Sequence, residues 1–298
     1  MQLLTEGTEE FHTPFAFMLF CAGHLEPQWA KNTLGVITDK LKASELSADQ
    51  LVQLLTKGSK AFPPFLLLLG FVKQKQEWAE SLLGVIATKL EREVNNLNID
   101  QLMQLLTRGP EEVVTPFAHL LCLASQEQQW AKKILGIIAP KLEVSELTAD
   151  QLMQLLTKGS PSQETPFHEL LLFAGKQQQW AENLLGIIAA KLAAATLTSD
   201  QLILLYTKDS GTLSTPFCQL LVGLSAKHQY AMDMASILRR GAQKMTISTD
   251  IFVCFWYLFR RDYFLNLDLT GVDFSHEKVA EIIGMEDLQF NNVKLTYP

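Results

Sequence analysis

A period of about 50 residues runs through this chain and limits what it can fold into. Trp29, Trp78, Trp130, Trp180 and then Tyr230 recur at steps of 49, 52, 50 and 50. Asp49, Asp100, Asp150, Asp200 and Asp250 recur at 51, 50, 50 and 50. A short unit written repeatedly cannot bury its apolar face alone. Stacking of neighbouring copies builds a continuous core, so stability becomes a sum over repeats and their interfaces.

Each copy divides into three helical segments. The first reads "LTADQLMQLLTKG" from Leu147 to Gly159. Thr148 is a strong N-cap, and Gln151 three residues later completes a capping box. Leu147 and Leu152 flank the cap as a hydrophobic staple. Leu152, Leu155 and Leu156 form an apolar stripe at helical spacing. Gly159 is placed for a left-handed C-terminal cap. Other copies repeat the box with Ser47/Gln50, Asn98/Gln101 and Thr198/Gln201. After a polar loop, the second segment is "TPFHELLLFAG". Thr165 caps it, Pro166 takes the first helical position and Gly175 can end it. Its apolar residues cover most of the circumference, which predicts a short helix buried between neighbours. The third segment contains "QQWAENLLGIIAAKL" and is the longest, from about Lys176 to Ala195.

Three helices in about 50 residues resemble armadillo-type solenoids in design, although no diagnostic armadillo, tetratricopeptide or HEAT consensus is present. The resemblance implies a curved rod of packed helix layers. Residues 1–245 would form this array, with about five copies, the first incomplete.

The third helix carries an unexpected residue. Gly186 sits in its middle, where glycine costs about 1 kcal/mol against alanine. At 100° per residue, Trp180, Leu184, Leu185, Ile188 and Leu192 share one broad face. Glu182, Asn183, Gly186, Ala189 and Ala190 fall opposite. The same positions hold Lys31, Asn32 and Gly35, then Glu80, Ser81 and Gly84, then Lys132, Lys133 and Gly136. The last copy has Met232, Asp233 and Ser236. A small residue thus recurs beside side chains that change. Two readings stand. In one, glycine lets a neighbouring helix approach closely. In the other, the third helices line the concave face of the solenoid, the glycines form a shallow furrow, and the twelve residues from Lys31 to Gly186 contact a partner.

The two ends differ from the rest. "MQLLTEG" matches "MQLLTRG" and "MQLLTKG", so Met1 aligns with Met103 and Met153 and the chain opens inside a first helix. A missing upstream segment is the expectation, since terminal repeats need polar caps. Residues 246–298 would form a capping unit. Within it "LDLTGVDF" and, 21 residues later, "LQFNNVKL" share the pattern L-x-[LF]-x-x-V-x-[FL], with a helical "SHEKVAEIIGMED" between. This β-α-β segment resembles leucine-rich repeats. Leu267, Leu269, Val272 and Phe274, then Leu288, Phe290, Val293 and Leu295, would point inward, and the array would continue past Pro298.

Composition narrows the function. The chain is 48% hydrophobic and 19% charged, a globular balance. Its net charge of -7 argues against nucleic acid as the main ligand. The longest apolar run, "FPPFLLLLGFV", is broken by prolines and falls short of a membrane span, so no membrane insertion is expected. Cys21, Cys122, Cys218 and Cys254 lie far apart and read as reduced core residues of a cytoplasmic protein. The six histidines include no paired ligand spacing; His119 and His168 read as partly exposed helix residues. Arg239–Arg240 and Arg260–Arg261 read as a helix end and a solvated face. No catalytic, cofactor-binding or metal constellation recurs.

These features point to a non-enzymatic scaffold that binds a protein on its concave face, with no cofactor. The helical array leading into a leucine-rich stub, with Gln- and Lys-rich turns, resembles secreted effectors of intracellular bacteria. That resemblance implies a host-cell protein as target and the host cytoplasm as site. The alternative is a substrate-recruiting arm of an enzyme or toxin whose catalytic domain lies outside this sequence.

Overall fold

The first helix of a repeat starts on short-range capping hydrogen bonds, and the computed structural model forms these as the sequence predicts. It describes residues 2–6, 13–25, 27–58, 63–109, 114–158, 165–207, 215–242, 246, 249, 252–253 and 270–273. The described residues are all-α and fall into three-helix repeats. The first comprises α1 (Gln2–Thr5), α2 (Pro14–Phe20), a π-helical turn Cys21–Leu25, and α3 (Gln28–Ala43). The second comprises α4 (Ala48–Thr56), α5 (Pro64–Lys73) and α6 (Glu77–Glu93). The third comprises α7 (Ile99–Thr107), α8 (Pro116–Ser125) and α9 (Gln129–Val144). The fourth comprises α10 (Ala149–Thr157), α11 (Pro166–Gly175) and α12 (Gln179–Ala194). The fifth comprises α13 (Ser199–Thr207), α14 (Pro216–Ser225) and α15 (Gln229–Ala242).

Ser47, Asn98 and Thr148 each accept from the backbone of the glutamine three residues on, and that glutamine bonds back to the cap N–H. Thr198 and Gln201 do the same at 3.0 and 3.2 Å. Thr13, Thr115, Thr165 and Thr215 cap the second helices. In α5 Pro63 replaces the threonine, and no side chain caps that helix.

Helix ends depart from expectation. Gly175 is the last helical residue of α11, and the left-handed position is Gln177, two residues later, at φ 58°. Lys75, Glu127 and Lys227 occupy the same place at φ 61°, 65° and 58°. There the Gln177 N–H donates to Ala174 O at 2.8 Å and the Gln178 N–H to Phe173 O at 3.1 Å, the paired bonds of a Schellman cap built without glycine. The third helix of that repeat consequently starts at Gln179 rather than Lys176. Gly159 lies outside the described residues; its counterpart Gly58 takes φ 139° after an extended Lys57.

The chain divides into two compact bodies, Met1–Leu170 and Leu171–Pro298, with the boundary inside α11. In the first body, like helices of successive repeats pack on one another: α1, α4, α7 and α10; α2, α5 and α8; α3, α6 and α9. The second helices form the centre, and α5 is buried along nearly its whole length.

Polar side chains stitch these repeats together in the first body. The Gln101 amide, besides serving its box, donates to Asp49 of the preceding repeat, and Gln151 donates to Asp100 at 3.3 Å. Arg108 donates to Gly58 O at 3.3 Å, and Lys158 to Thr107 O at 2.8 Å. Buried Lys89 reaches back to the C-terminal end of α3, bonding Lys42 O at 3.2 Å and Ser44 O. Lys141 bonds Asn95 O at 3.1 Å. Each cation thus meets carbonyls at or just beyond a helix C-terminus, where the helix dipole favours positive charge.

In the second body α12 packs on α15, and α13 and α14 pack on each other and on α15. Here Tyr230 replaces the tryptophan. Where repeats two and four pair Phe71 with Trp78 and Phe173 with Trp180, at ring separations of 5.5 and 5.8 Å, the fifth has Gly223 beside Tyr230. The tyrosine hydroxyl fills the space: a Cβ on Gly223 would lie 2.6 Å from it.

Several expectations fail on burial. Trp29, expected on the apolar side, is 55% exposed, whereas Trp130 is 9% exposed beneath its neighbours. Ala189, expected opposite the core, is buried. Cys218 is exposed and Cys122 half-buried, so only Cys21 fits the core reading among the described cysteines. The expected division at residue 245 adjoins residues outside those described, as do the side chains of Arg239–Arg240 and Arg260–Arg261. So does most of the β-α-β segment over residues 267–295. Of its first strand, Thr270 and Gly271 form a turn rather than continuing an extended run, and Val272 is buried as expected. No strand occurs among the described residues.

Candidate functional site on the third helices

The changing residues beside the third-helix glycines all reach the surface. In the first body Lys31 is half-buried and Asn32 and Gly35 are exposed on α3. Glu80 and Ser81 are exposed and Gly84 half-buried on α6; Lys132 is half-buried and Lys133 and Gly136 are exposed on α9. In the second body Glu182 is half-buried and Asn183 and Gly186 are exposed on α12. None of the twelve belongs to the core.

The glycines are not contact points for a neighbouring helix. A Cβ built on Gly35, Gly84, Gly136 or Gly186 would meet nothing within 4 Å. Close helix packing is therefore excluded as their reason. The contrast with Gly23 is direct: there a Cβ would lie 2.0 Å from the Phe71 ring.

The flanking side chains differ in how far they are already engaged. Gln28 donates to Asn32 at 2.9 Å, Gln179 to Asn183 at 3.0 Å and Gln229 to Asp233 at 2.9 Å, each one helical turn apart. Lys132 pairs with Glu127 at 2.5 Å. Lys133 crosses from α9 to Glu91 on α6 at 2.7 Å. The two lysines thus already have internal partners, which lowers their value as free anchors.

One cavity, of about 280 Å³, opens on this surface in the second body. Gln179, Glu182, Asn183, Leu185, Gly186 and Ala189 line it from α12, and His228, Gln229, Tyr230 and Asp233 from α15. It brings together three of the twelve expected residues. The α15 wall follows from the same repeat frame, which places Asp233 opposite the α12 positions; Gln179 and His228 carried no signal in a single copy. Burial first, and then the negative charge of Glu182, push the Tyr230 hydroxyl above its usual range.

Two histidines lie on the second helices, away from this cavity. His168 is buried rather than partly exposed. His119 is held down to about 4, first by burial and then by the charge of Lys73. Among the described residues no group of three or more His, Cys, Asp or Glu side chains converges as a metal site would. No helix among them is long and apolar enough to cross a membrane.

Fold and surface together define an all-α protein of packed helical repeats. No family model, curated protein or solved structure matches the chain.

Proposed function

We propose that the chain is a non-enzymatic interaction scaffold, an armadillo-like solenoid that binds a partner polypeptide along the concave face carrying its third-helix glycines. The observation behind this reading is the open space over Gly35, Gly84, Gly136 and Gly186. Alanine would fit each position and favour the helix by about 1 kcal/mol. Four such losses total about 4 kcal/mol, a large part of the roughly 5–15 kcal/mol by which a domain is stable. Packing gives no return for them, whereas a partner backbone lying against the helix does. The changing neighbours Lys31 and Asn32, Glu80 and Ser81, and Glu182 and Asn183 then give each repeat its own recognition character. The resemblance to bacterial effectors makes a host cytoplasmic protein the partner to seek first.

The test substitutes leucine. Gly136→Leu and Gly186→Leu point a bulky side chain into free space, so the melting profile and helicity stay within the wild-type range while a captured partner is lost. A partner retained by both variants would rule out the glycine face. Loss of folding would contradict the open geometry itself.

A further inference from the structure

Third helices in the first body carry a stripe that meets the third helix of the preceding repeat. On α6 the stripe is Trp78, Leu82, Val85 and Lys89; the last three are buried, and α6 packs on α3. On α9 it is Trp130, Ile134, Ile137 and Lys141, and α9 packs on α6. Each stripe ends in a lysine that crosses to the carbonyl end of the helix it meets. Lys89 donates to Lys42 O at 3.2 Å, and Lys141 to Asn95 O at 3.1 Å.

α3 carries the same stripe as Trp29, Thr33, Val36 and Lys40. No described helix packs on it. Trp29 is 55% and Val36 60% exposed, against 9% for Val85. The Thr33 hydroxyl is spent on Trp29 O at 2.8 Å, so it adds no unmet donor. Lys40 is exposed and forms no hydrogen bond or ion pair among the described residues. The neighbouring α2 repeats the contrast: Phe17 is 52% exposed, whereas its counterpart Leu67, on α5 packed against α2, is 8% exposed. Val36 lies about 100° round the helix from Gly35, so this flank is separate from the glycine face.

α6 and α9 show what such a stripe takes: the flank of a parallel helix, with the carbonyl end of that helix on the lysine. Carbonyls at a helix C-terminus lack intrahelical donors, and the dipole there attracts a cation. The stripe from Trp29 to Lys40 is about 17 Å long, three turns of helix. Phe17, Trp29 and Val36 leave on the order of 300 Å² of apolar surface bare. That is less than half of the roughly 800 Å² per side of a standard interface between folded proteins, and it suits one helix. A second copy fits worse. Two copies meeting here about a two-fold axis with layers matched would run their α3 helices antiparallel, which sets Lys40 against the positive end of its mate.

We propose that this face docks an amphipathic helix of a partner polypeptide, parallel to α3, with its apolar flank on Trp29, Thr33 and Val36 and its last carbonyls at Lys40. The docked helix extends the third-helix layer by one member.

The experiment uses the full chain and a fluorescent peptide of residues 76–97 as probe, followed by anisotropy. That peptide supplies the flank and the carbonyl end that α9 and Lys141 meet in the fold. Saturable binding is expected, with a Kd on the order of 100 μM. Val36→Glu should weaken it on the order of tenfold and Lys40→Glu about fivefold, while Lys40→Arg and Gly35→Leu keep it. Melting profiles check each variant; Lys40→Glu, at an exposed site, carries the comparison where Val36→Glu is destabilised. No saturable binding, equal binding of a scrambled peptide, or no effect of Lys40→Glu overturns the proposal. So does binding lost in Gly35→Leu but kept in Val36→Glu, which would move the peptide to the glycine face. Sedimentation velocity should find no dimer that Val36→Glu splits; such a dimer would give the face to a second copy and overturn the proposal.

Discussion

Gly186 and Gly223 are both helical glycines, and their surroundings demand opposite outcomes on substitution. Gly186 faces open space, so Gly186→Ala adds a helix-favouring methyl without displacing anything. It should stabilise the chain by about 1 kcal/mol. A Cβ on Gly223 would stand 2.6 Å from the Tyr230 hydroxyl and 2.9 Å from the Ala231 Cβ. The second of these is a short, fixed side chain that cannot swing aside. Gly223→Ala should therefore destabilise by about 1–3 kcal/mol, the usual range for overpacking. Urea denaturation of the two variants beside the wild type reads both effects. Shifts of the same sign would show that helix propensity alone governs the two sites.

The starts of the first helices were legible in the sequence because capping is a rule over three residues, whereas the third helices begin without a side-chain cap. Ser47, Asn98, Thr148 and Thr198 need only their own glutamine to form the box. Helix ends were less legible. At Lys75, Glu127, Gln177 and Lys227 a left-handed turn joins the second helix to the third, and no glycine marks it. The stitching of repeats was hidden for a related reason. A glutamine that completes its own cap gives no sign that its amide also reaches the aspartate of the preceding copy. Nor does the Trp motif reveal that Trp29 lacks the cover that buries Trp130. The third-helix face was legible as a wheel pattern, but only coordinates decide between a buried and an open glycine. One element still carries a local defect. α9 runs through Pro140 to Val144, and a helical proline removes one backbone bond and crowds the carbonyl four residues earlier, here that of Gly136. Its counterparts Asp39, Thr88 and Ala190 are ordinary helix residues. Pro140→Ala should stabilise the chain by up to about 3 kcal/mol, read as a higher urea midpoint. An unchanged midpoint would mean that α9 bends at Pro140 in a way its packing against α6 and α8 requires.

Stability of the chain as a whole should carry the signature of one histidine. His119 on α8 packs beside Lys73 of α5 in the stacked second-helix layer of the first body, and burial followed by that charge holds it down to about 4. In the unfolded chain it titrates near 6.5. Between those values the unfolded state binds more protons than the folded one, so stability rises with pH across the window. The contribution is complete above about pH 7 and is lost as pH falls toward 4. Carboxylates titrate in the lower part of the same range, so the wild type alone cannot isolate it. The fifth repeat offers the comparison, because Gln219 holds the same position in α14 as His119 in α8. His119→Gln keeps a polar, uncharged side chain there. The wild-type stability relative to this variant should fall by about 1–2 kcal/mol between pH 7 and pH 5, since a tenfold difference in proton affinity between the folded and unfolded chain is worth about 1.4 kcal/mol. Parallel urea midpoints across that range would show that His119 takes up its proton in the fold as readily as outside it.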